Sequence, residues 1–145
     1  MARVQSILEG KGGAVMSIGP KATVLEAAHL MNQRKIGALV VTLGGEVSGI
    51  ITERDVLVRV VGEQRHPAQT LVEDVMSTHV TCCTPDTSIE EARTLMRDRR
   101  IRHLPVVDKQ RRLRGMISIG DLNAWQIDGH EQTIHDLHQY IHGRA

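Results

Sequence analysis

A repeated pattern inside the chain constrains its fold more than any other sequence feature. Residues 15–42, aligned with residues 80–107 at a shift of 65 positions, share ten identities in 28 positions. The match continues from Gly49–Asp55 to Gly115–Asp121, with one extra residue in the second copy. Self-similarity of this kind indicates copies of one supersecondary unit. We therefore predict that the chain contains two diverged copies of the same fold unit.

Each copy shows the same order of local signals. An extended segment ending at proline precedes an amphipathic helix whose N-cap is Thr23 or Ser88. Two short apolar runs separated by a turn then predict a hairpin, and a second helix begins after Thr52 or Ser118. The predicted fold is α/β (α+β), with two βαββα repeats. The predicted strands are residues 15–19, 38–43, 47–51, 80–84, 104–108 and 113–117.

The segments before the two copies also correspond, because Val4–Leu8 and Val72–Met76 carry apolar residues at the same spacing. We expect the first repeat, with its N-terminal lead-in helix, to span residues 1–65, the second to span 66–125, and a helical tail to span 126–145. Gly10–Gly13 is predicted to be a loop inserted only in the first copy. It lacks the GxxxxGK[ST] spacing of a phosphate-binding loop.

Positive charge is concentrated in one segment, although the net charge of the whole chain is small. The formal net charge is +1, but residues 97–114 hold seven arginines and Lys109 against two aspartates, a net of +6 (8 minus 2). This segment is either a solvated helix face and hairpin tip or an anion site, with phosphate the commonest small anion. Nucleic-acid binding is not expected, because the chain has no Phe and only Trp125 and Tyr140 as large aromatics for base stacking.

Two features bear on the compartment and on thiol chemistry. No apolar signal segment follows Met1 and no apolar run approaches 18 residues, so no membrane span is predicted and we expect a cytoplasmic protein. Cys82 and Cys83 are neighbours, and successive side chains of an extended segment point to opposite faces. The two cysteines are therefore not expected to pair with each other.

Both copies end in a glycine, two apolar residues, a hydroxyl residue, two variable residues and an aspartate. The segments are Gly49–Asp55 and Gly115–Asp121. One interpretation is a capping box, in which the hydroxyl caps the helix and the aspartate reaches back. The other is a nucleotide grip, since a helix N-terminus attracts phosphate and a carboxylate accepts from ribose hydroxyls. An apolar base would then lie between aliphatic side chains such as Ile18, Ile36, Ile50 and Met116.

These motifs resemble the cystathionine-β-synthase (CBS) domain. The patterns on which the resemblance rests are Pro-x-x-[Thr/Ser]-[Val/Ile]-x-Glu-Ala-x-x-Leu-Met, Ile-x-x-Leu-[Val/Pro]-Val and Gly-[Ile/Met]-Ile-[Thr/Ser]-x-x-Asp, each present twice. The tandem resembles a Bateman module of the small stand-alone bacterial type. The resemblance implies pseudo-twofold packing of the repeats, two clefts for adenine-containing ligands (AMP, ADP, ATP, S-adenosylmethionine or NAD) and a homodimer.

The resemblance also implies which residues bind the ligands. Thr52 and Asp55 would hold the phosphate and ribose of one ligand, and Ser118 and Asp121 those of the other. Backbone groups of two extended segments would meet the adenine edge, and the start of the second strand of each copy would line the rest. These further residues are Ser17, Ile18, Thr81, Cys82 and Cys83 for the adenine edge, and Ile36, Gly37, Ala38, Arg102, His103, Leu104 and Pro105 for the lining.

Differences between the copies predict two unequal sites. Arg102 and His103 stand where the first copy has Gly37 and Ala38, so the second copy offers cations where the first offers space. Conversely, Arg54 corresponds to Gly120, which permits close backbone approach without charge.

The function predicted from these features is a regulatory, non-catalytic adenine-nucleotide sensor that signals to an unidentified downstream protein. No nucleophile elbow, Cys-x-x-Cys pair or His-Glu-x-x-His helix is present. The alternative is a metal- or redox-responsive interaction protein using Cys82, Cys83 and a tail with His135, His138 and His142. An apolar stripe parallel to these histidines favours a packing helix over a metal site.

Overall fold

The structure is a computed structural model, and it describes residues 2–11 and 17–126. Within these residues, five helices and five strands are distributed over the two copies. The helices are α1 (Val4–Lys11), α2 (Val24–Arg34), α3 (Glu53–Val56, continued by a π-helical turn at Leu57–Val61), α4 (Ile89–Arg99) and α5 (residues 119–126). The strands are β1 (Ser17–Ile18), β2 (Ala38–Leu43), β3 (Glu46–Thr52), β4 (His103–Val107) and β5 (Leu113–Ser118). Short 3₁₀ turns lie at Pro67–Gln69 and Val72–Asp74.

The first copy forms a three-stranded sheet covered by α2. Strand β1 pairs in parallel with β2, and β2 pairs in antiparallel fashion with β3. Helix α2 begins at a capping box in which the Thr23 side chain accepts from the backbone N–H of Glu26, while the Glu26 carboxylate accepts from that of Thr23. The hairpin turns at Gly44 and Gly45, whose φ angles of 61° and 86° favour glycine.

The second copy repeats this arrangement with a reduced first strand. Ser88 caps α4, and β4 pairs in antiparallel fashion with β5. Where residues 80–84 were predicted to be a strand, only Cys83 pairs with the sheet, in a parallel bridge to Val106. The predicted βαββα fold is thus confirmed in both copies, apart from this shortened element.

The lead-in segments are exchanged between the copies. Val4 and Ile7 of α1 are buried in the core of the second copy, and the Val4 N–H donates to Thr87 O at 2.8 Å. Reciprocally, Val72 and Val75 are buried in the core of the first copy. Each copy therefore completes its core with a segment that precedes the other, although the predicted boundaries assign residues 1–65 to one repeat.

The predicted loop at Gly10–Gly13 differs from the structure. Helix α1 continues through Gly10 and Lys11, so these residues are helical rather than part of a loop. Gly12 and Gly13 lie outside the described residues. The continuation matters for the site, because it carries the Lys11 side chain to the edge of the second copy.

A small apolar cluster joins the two sheets. Val40 and Val47 of the first copy meet Val107 of the second, and Cys82 packs against the same cluster. The hairpin tips also bond directly, with the Val47 N–H donating to Arg111 O at 3.1 Å. The copies are therefore packed face to face about a pseudo-twofold axis, with a groove beside this junction.

Two further sequence expectations concern a membrane span and the histidine tail. Within residues 2–11 and 17–126, no helix has the length and apolar character needed to cross a bilayer. The histidine tail, with His135, His138 and His142, lies outside the described residues.

Candidate functional site

The hydroxyl–aspartate turns are capping boxes in both copies. At the end of β3, the Thr52 N–H donates to Asp55 Oδ2 at 2.9 Å and the Asp55 N–H donates to Thr52 Oγ1 at 3.2 Å. At the end of β5, the Ser118 N–H donates to Asp121 Oδ2 at 2.8 Å and the Asp121 N–H donates to Ser118 Oγ at 3.1 Å. Each box uses the Oδ2 atom of its aspartate. The capping interpretation is therefore confirmed, and it leaves the Oδ1 atoms for other partners.

A cavity of about 710 Å³ opens beside these turns. Five of the predicted site residues line it from the first copy, which are Gly37, Ile50, Thr52, Arg54 and Asp55. Six more line it from the second copy, which are Thr81, Arg102, His103, Pro105, Ser118 and Gly120.

This composition changes how the predicted residues are grouped. The sequence differences between the copies were interpreted as two sites, with Arg102 and His103 in one and Arg54 in the other. The structure places all three on the same cavity. The reason is the pseudo-twofold packing, which sets the turn at the end of β3 opposite the start of β4. The cavity is thus built across the copies.

The cavity carries more cationic than anionic side chains. Arg54, Arg100 and Arg102 line it together with the carboxylates of Glu53 and Asp55, a formal net charge of +1 (3 minus 2) before the histidines are counted. The Asp55 carboxylate is mostly shielded, with 13% of its side chain exposed. The site therefore combines a carboxylate acceptor with a set of guanidinium donors, which is a suitable arrangement for a ligand with hydroxyls at one end and an anionic group at the other.

His103 is the titratable group most affected by this environment. Burial lowers its pKa below the usual 6.5, and the neighbouring Arg102 cation lowers it further. Glu53 and Asp121 act in the opposite direction, and Lys11 adds to the lowering. His103 is therefore a neutral imidazole near pH 7, able both to donate and to accept a hydrogen bond.

Several predicted residues do not line this cavity. Ala38 and Leu104 are completely buried, so their side chains are core rather than site, while Ile18 and Ile36 pack against the core of the first copy. Ser17 is exposed on β1, and Asp121 lies beside Lys11. The remaining ones belong to apolar clusters, namely Cys82 and Met116 at the junction between the copies and Cys83 in the core of the second copy.

The two cysteines point to different clusters, as their adjacency predicted. Burial raises the pKa of the Cys83 thiol to about 12, and burial also raises that of Cys82, against an opposing effect of Arg111. Both are protonated thiols at neutral pH, and a protonated thiol is a poor nucleophile and a poor metal ligand. Among residues 2–11 and 17–126, no His, Cys, Asp and Glu side chains cluster closely enough to hold a metal ion.

Sequence reasoning missed seven residues that line the cavity. Arg100 lay within the basic segment of residues 97–114, but nothing in that segment separated it from the arginines that face solvent. The lead-in correspondence could have indicated His79, because it lies three residues after Val72–Met76. The missed residues are Glu53, Ser77, His79, Val80, Arg100, Ile101 and Ile119.

Lys11 is a further residue that the motif search overlooked. Its Nζ donates to Asp121 Oδ2 at 2.8 Å and to Met116 O at 2.9 Å. The corresponding aspartate of the first copy has a more distant cation, with Arg59 Nε at 4.0 Å from Asp55 Oδ1. The two turns are therefore alike in capping but different in their surroundings.

Comparison with known proteins agrees with the repeat and the fold. The sequence profile of the CBS domain matches residues 14–62 and 72–127. The chain belongs to the CBS-domain family. It is 37% identical over 131 residues to the CBS domain-containing protein YhcV of Bacillus subtilis, covering 88% of this chain and 92% of that protein.

Solved structures give the same result. The solved structure of a protein with CBS domains from Burkholderia ambifaria has a TM-score of 0.82 at 38% identity, covering 88% of this chain and 95% of that one. A CBS domain pair crystallised with 5′-methylthioadenosine and S-adenosyl-L-methionine has a TM-score of 0.79 at 22% identity, covering 89% of this chain and 98% of that one, and supports the fold alone. Proteins with paired CBS domains are generally regulatory and bind adenosine-containing ligands.

Proposed function

We propose that this protein is a non-catalytic sensor of adenine nucleotides that carry phosphate, namely AMP, ADP, ATP or NAD. The observation that carries the proposal is the cavity built across the copies. It unites the Thr52–Asp55 turn of one copy with Arg102, His103 and Ser118 of the other. A ligand spanning it contacts both copies at once.

Each part of an adenine nucleotide has a matching group in the cavity. The Oδ1 atom of Asp55 is positioned for the ribose hydroxyls, because Oδ2 is used by the Thr52 cap. Ile50, Val80 and Pro105 offer apolar surface for the base. A phosphate would lie toward the guanidinium groups, where charge-assisted hydrogen bonds are stronger than neutral ones. The guanidinium groups are those of Arg54, Arg100 and Arg102.

The charges of these three arginines favour some adenine-containing ligands over others. A phosphate-bearing nucleotide gains from the three arginines, whereas the sulfonium of S-adenosylmethionine places a positive charge in a cavity that is already cationic. The uncharged 5′-methylthioadenosine gains nothing from them. We therefore rank phosphate-bearing nucleotides above the two ligands held by the distant structural relative.

The chemistry of the turns supports a binding role. The Thr52 hydroxyl donates to Asp55 Oδ2 at 3.1 Å and accepts from the Asp55 N–H. The Ser118 hydroxyl likewise accepts from the Asp121 N–H. Both hydroxyls are thus engaged in capping the helices that follow the turns.

The signal is proposed to be a change in the relative position of the copies. They are joined by a small cluster around Val40, Val47 and Val107 and by the hairpin tips, while the cavity lies beside that junction. A ligand that contacts both copies stabilises one relative orientation, and its binding energy shifts the population toward that orientation. A downstream protein that recognises this orientation would receive the signal.

We also propose a homodimer, which the resemblance implies. Leu57, Val58 and Val61 follow α3 and share one side of a helical segment, and they are 64%, 53% and 63% exposed. A contiguous exposed apolar surface of this kind is typical of a protein–protein contact. Light scattering coupled to size exclusion should give twice the chain mass for the wild type and the chain mass for Val61→Glu, and a monomeric wild type would contradict this proposal.

The metal- or redox-responsive alternative receives less support. It requires reactive thiols, and burial keeps both Cys82 and Cys83 protonated at neutral pH. Its histidine component lies outside the described residues.

A thermal-shift panel tests the nucleotide proposal. A ligand at one hundred times its Kd adds about 2.7 kcal/mol, which for a chain of this size raises the Tm by about 5 °C or more. We expect this with at least one of AMP, ADP, ATP and NAD, and a smaller rise with GTP and inorganic phosphate. No response to any adenine nucleotide would refute the proposal.

A further inference from the structure

The pseudo-twofold axis relates Lys11 to His79. Leu8 of the first lead-in packs on Gly115, and Met76 of the second packs on Gly49, its equivalent. Three residues further along, these segments reach Lys11 and His79. Each lead-in therefore delivers a basic residue to the hydroxyl–aspartate turn of the other copy.

The local backbone differs between the two places. In the first copy, Ser77 leaves the 3₁₀ lead-in and pairs with β3, so that the Ser77 N–H donates to Ile50 O at 2.9 Å. In the second copy, α1 stays helical through Lys11. The carbonyl equivalent to Ile50 O is Met116 O, and it accepts from Lys11 Nζ at 2.9 Å. The lysine ammonium thus occupies the place of a backbone bridge.

The position of the Lys11 ammonium affects the carboxylate of Asp121. Its Oδ2 atom accepts from both the Ser118 N–H and Lys11 Nζ, each at 2.8 Å. The ammonium therefore partly neutralises this carboxylate through Oδ2, while Oδ1, the oxygen that a ribose hydroxyl would use, is left open. By contrast, Asp55 lines an open cavity and its nearest cation is 4.0 Å away. A diol arriving at Asp121 Oδ1 therefore meets a carboxylate whose negative charge is already paired with an ammonium.

We propose that Lys11 weakens ribose binding at the Asp121 turn by pairing with its carboxylate, so that the chain binds one adenine nucleotide tightly, in the cavity with Asp55, and a second only weakly. This inference rests on the proposed function, because it concerns the second of two nucleotide turns. Lys11 is thereby a determinant of ligand stoichiometry. Its side chain is 43% exposed, so the contact is a modest one that a single substitution removes.

Isothermal titration with ADP tests the inference. Wild-type protein should bind about one tight equivalent per chain, and Lys11→Met should bind a second equivalent about fivefold more tightly than wild type, the factor that corresponds to losing an exposed ion pair. The first equivalent should change by less than about twofold. Lys21→Met is the matched control, because Lys21 forms a similar exposed pair with Glu73 at 2.7 Å, away from both turns.

A second variant identifies the site. Adding Asp121→Asn to Lys11→Met should remove the gained equivalent and leave the first. Two equal tight equivalents in wild type, or an unchanged second equivalent in Lys11→Met, would overturn the inference while leaving the proposed function intact. Weaker second binding in Lys11→Met would also overturn it, since Lys11 would then be a ligand contact. No ADP binding to either protein would instead refute the proposed function and the inference together.

Discussion

Replacement of Asp55 by asparagine separates the two roles that the structure gives this carboxylate. Oδ2 takes part in the Thr52 cap and Oδ1 is left for the ligand. An asparagine can keep the cap with its amide oxygen, but it presents an amide N–H₂ where the ligand needs an acceptor. We therefore expect a large loss of nucleotide affinity with little loss of stability.

The size of the effect follows from the hydrogen bonds involved. A hydrogen bond to a charged group contributes about 1.5–3 kcal/mol. A net loss of one such bond corresponds to a rise of about 10- to 150-fold in the Kd for ADP. Stability should change by no more than about 1 kcal/mol, because the cap persists.

Asp121→Asn is the matched control, since it makes the same change in the same kind of capping box. Isothermal titration with ADP should show the large loss only in Asp55→Asn, with Asp121→Asn within about threefold of wild type. Urea unfolding of both variants checks that the caps survive. A Kd for Asp55→Asn within about threefold of wild type would refute the assignment of the ribose acceptor.

The other predictions concern charge, pH and the exchanged lead-in. Arg102→Met should weaken ADP binding by about tenfold or more and leave 5′-methylthioadenosine binding unchanged. Arg97 is exposed and lies outside the cavity, so Arg97→Met should affect the binding of neither ligand. Equal weakening of both ligands by Arg102→Met would contradict a phosphate contact. Because burial lowers the pKa of His103 in the folded state, the unfolded chain binds its proton first as pH falls below 6.5, so the wild type should lose stability below that pH. His103→Gln should flatten this part of a urea-measured stability profile, and an unchanged profile would count against the buried neutral imidazole. Ile7→Ala should destabilise the protein by about 2–5 kcal/mol, because Ile7 lies in the core of the second copy. The exposed Leu43→Ala should cost less than about 0.5 kcal/mol, and similar denaturation midpoints for the two variants would contradict the exchanged packing.

Local structure could be predicted from the sequence because its causes are local. The apolar runs and glycine turn defined β2 as residues 38–43, as observed, and the caps at Thr23 and Ser88 fixed the starts of α2 and α4. The hydroxyl–aspartate turns form in the structure as capping boxes for the same reason, since both partners lie three residues apart.

The grouping of the site residues could not be predicted in this way. It depends on which copy each lead-in packs against, and the apolar spacing of Val4–Leu8 and Val72–Met76 is compatible with either choice. The spacing likewise did not reveal that α1 stays helical through Lys11, because glycines at this position favoured a loop. As a result, Lys11 and His79 were missed, while Arg54 and Arg102 were assigned to different sites.

A crystal structure of the protein grown with saturating ADP would decide whether the cavity is a nucleotide site. We expect one nucleotide in the cavity across the copies, with ribose hydroxyls donating to Asp55 and the diphosphate contacting Arg102. An empty cavity at saturating ADP, or a nucleotide held away from both residues, would contradict it.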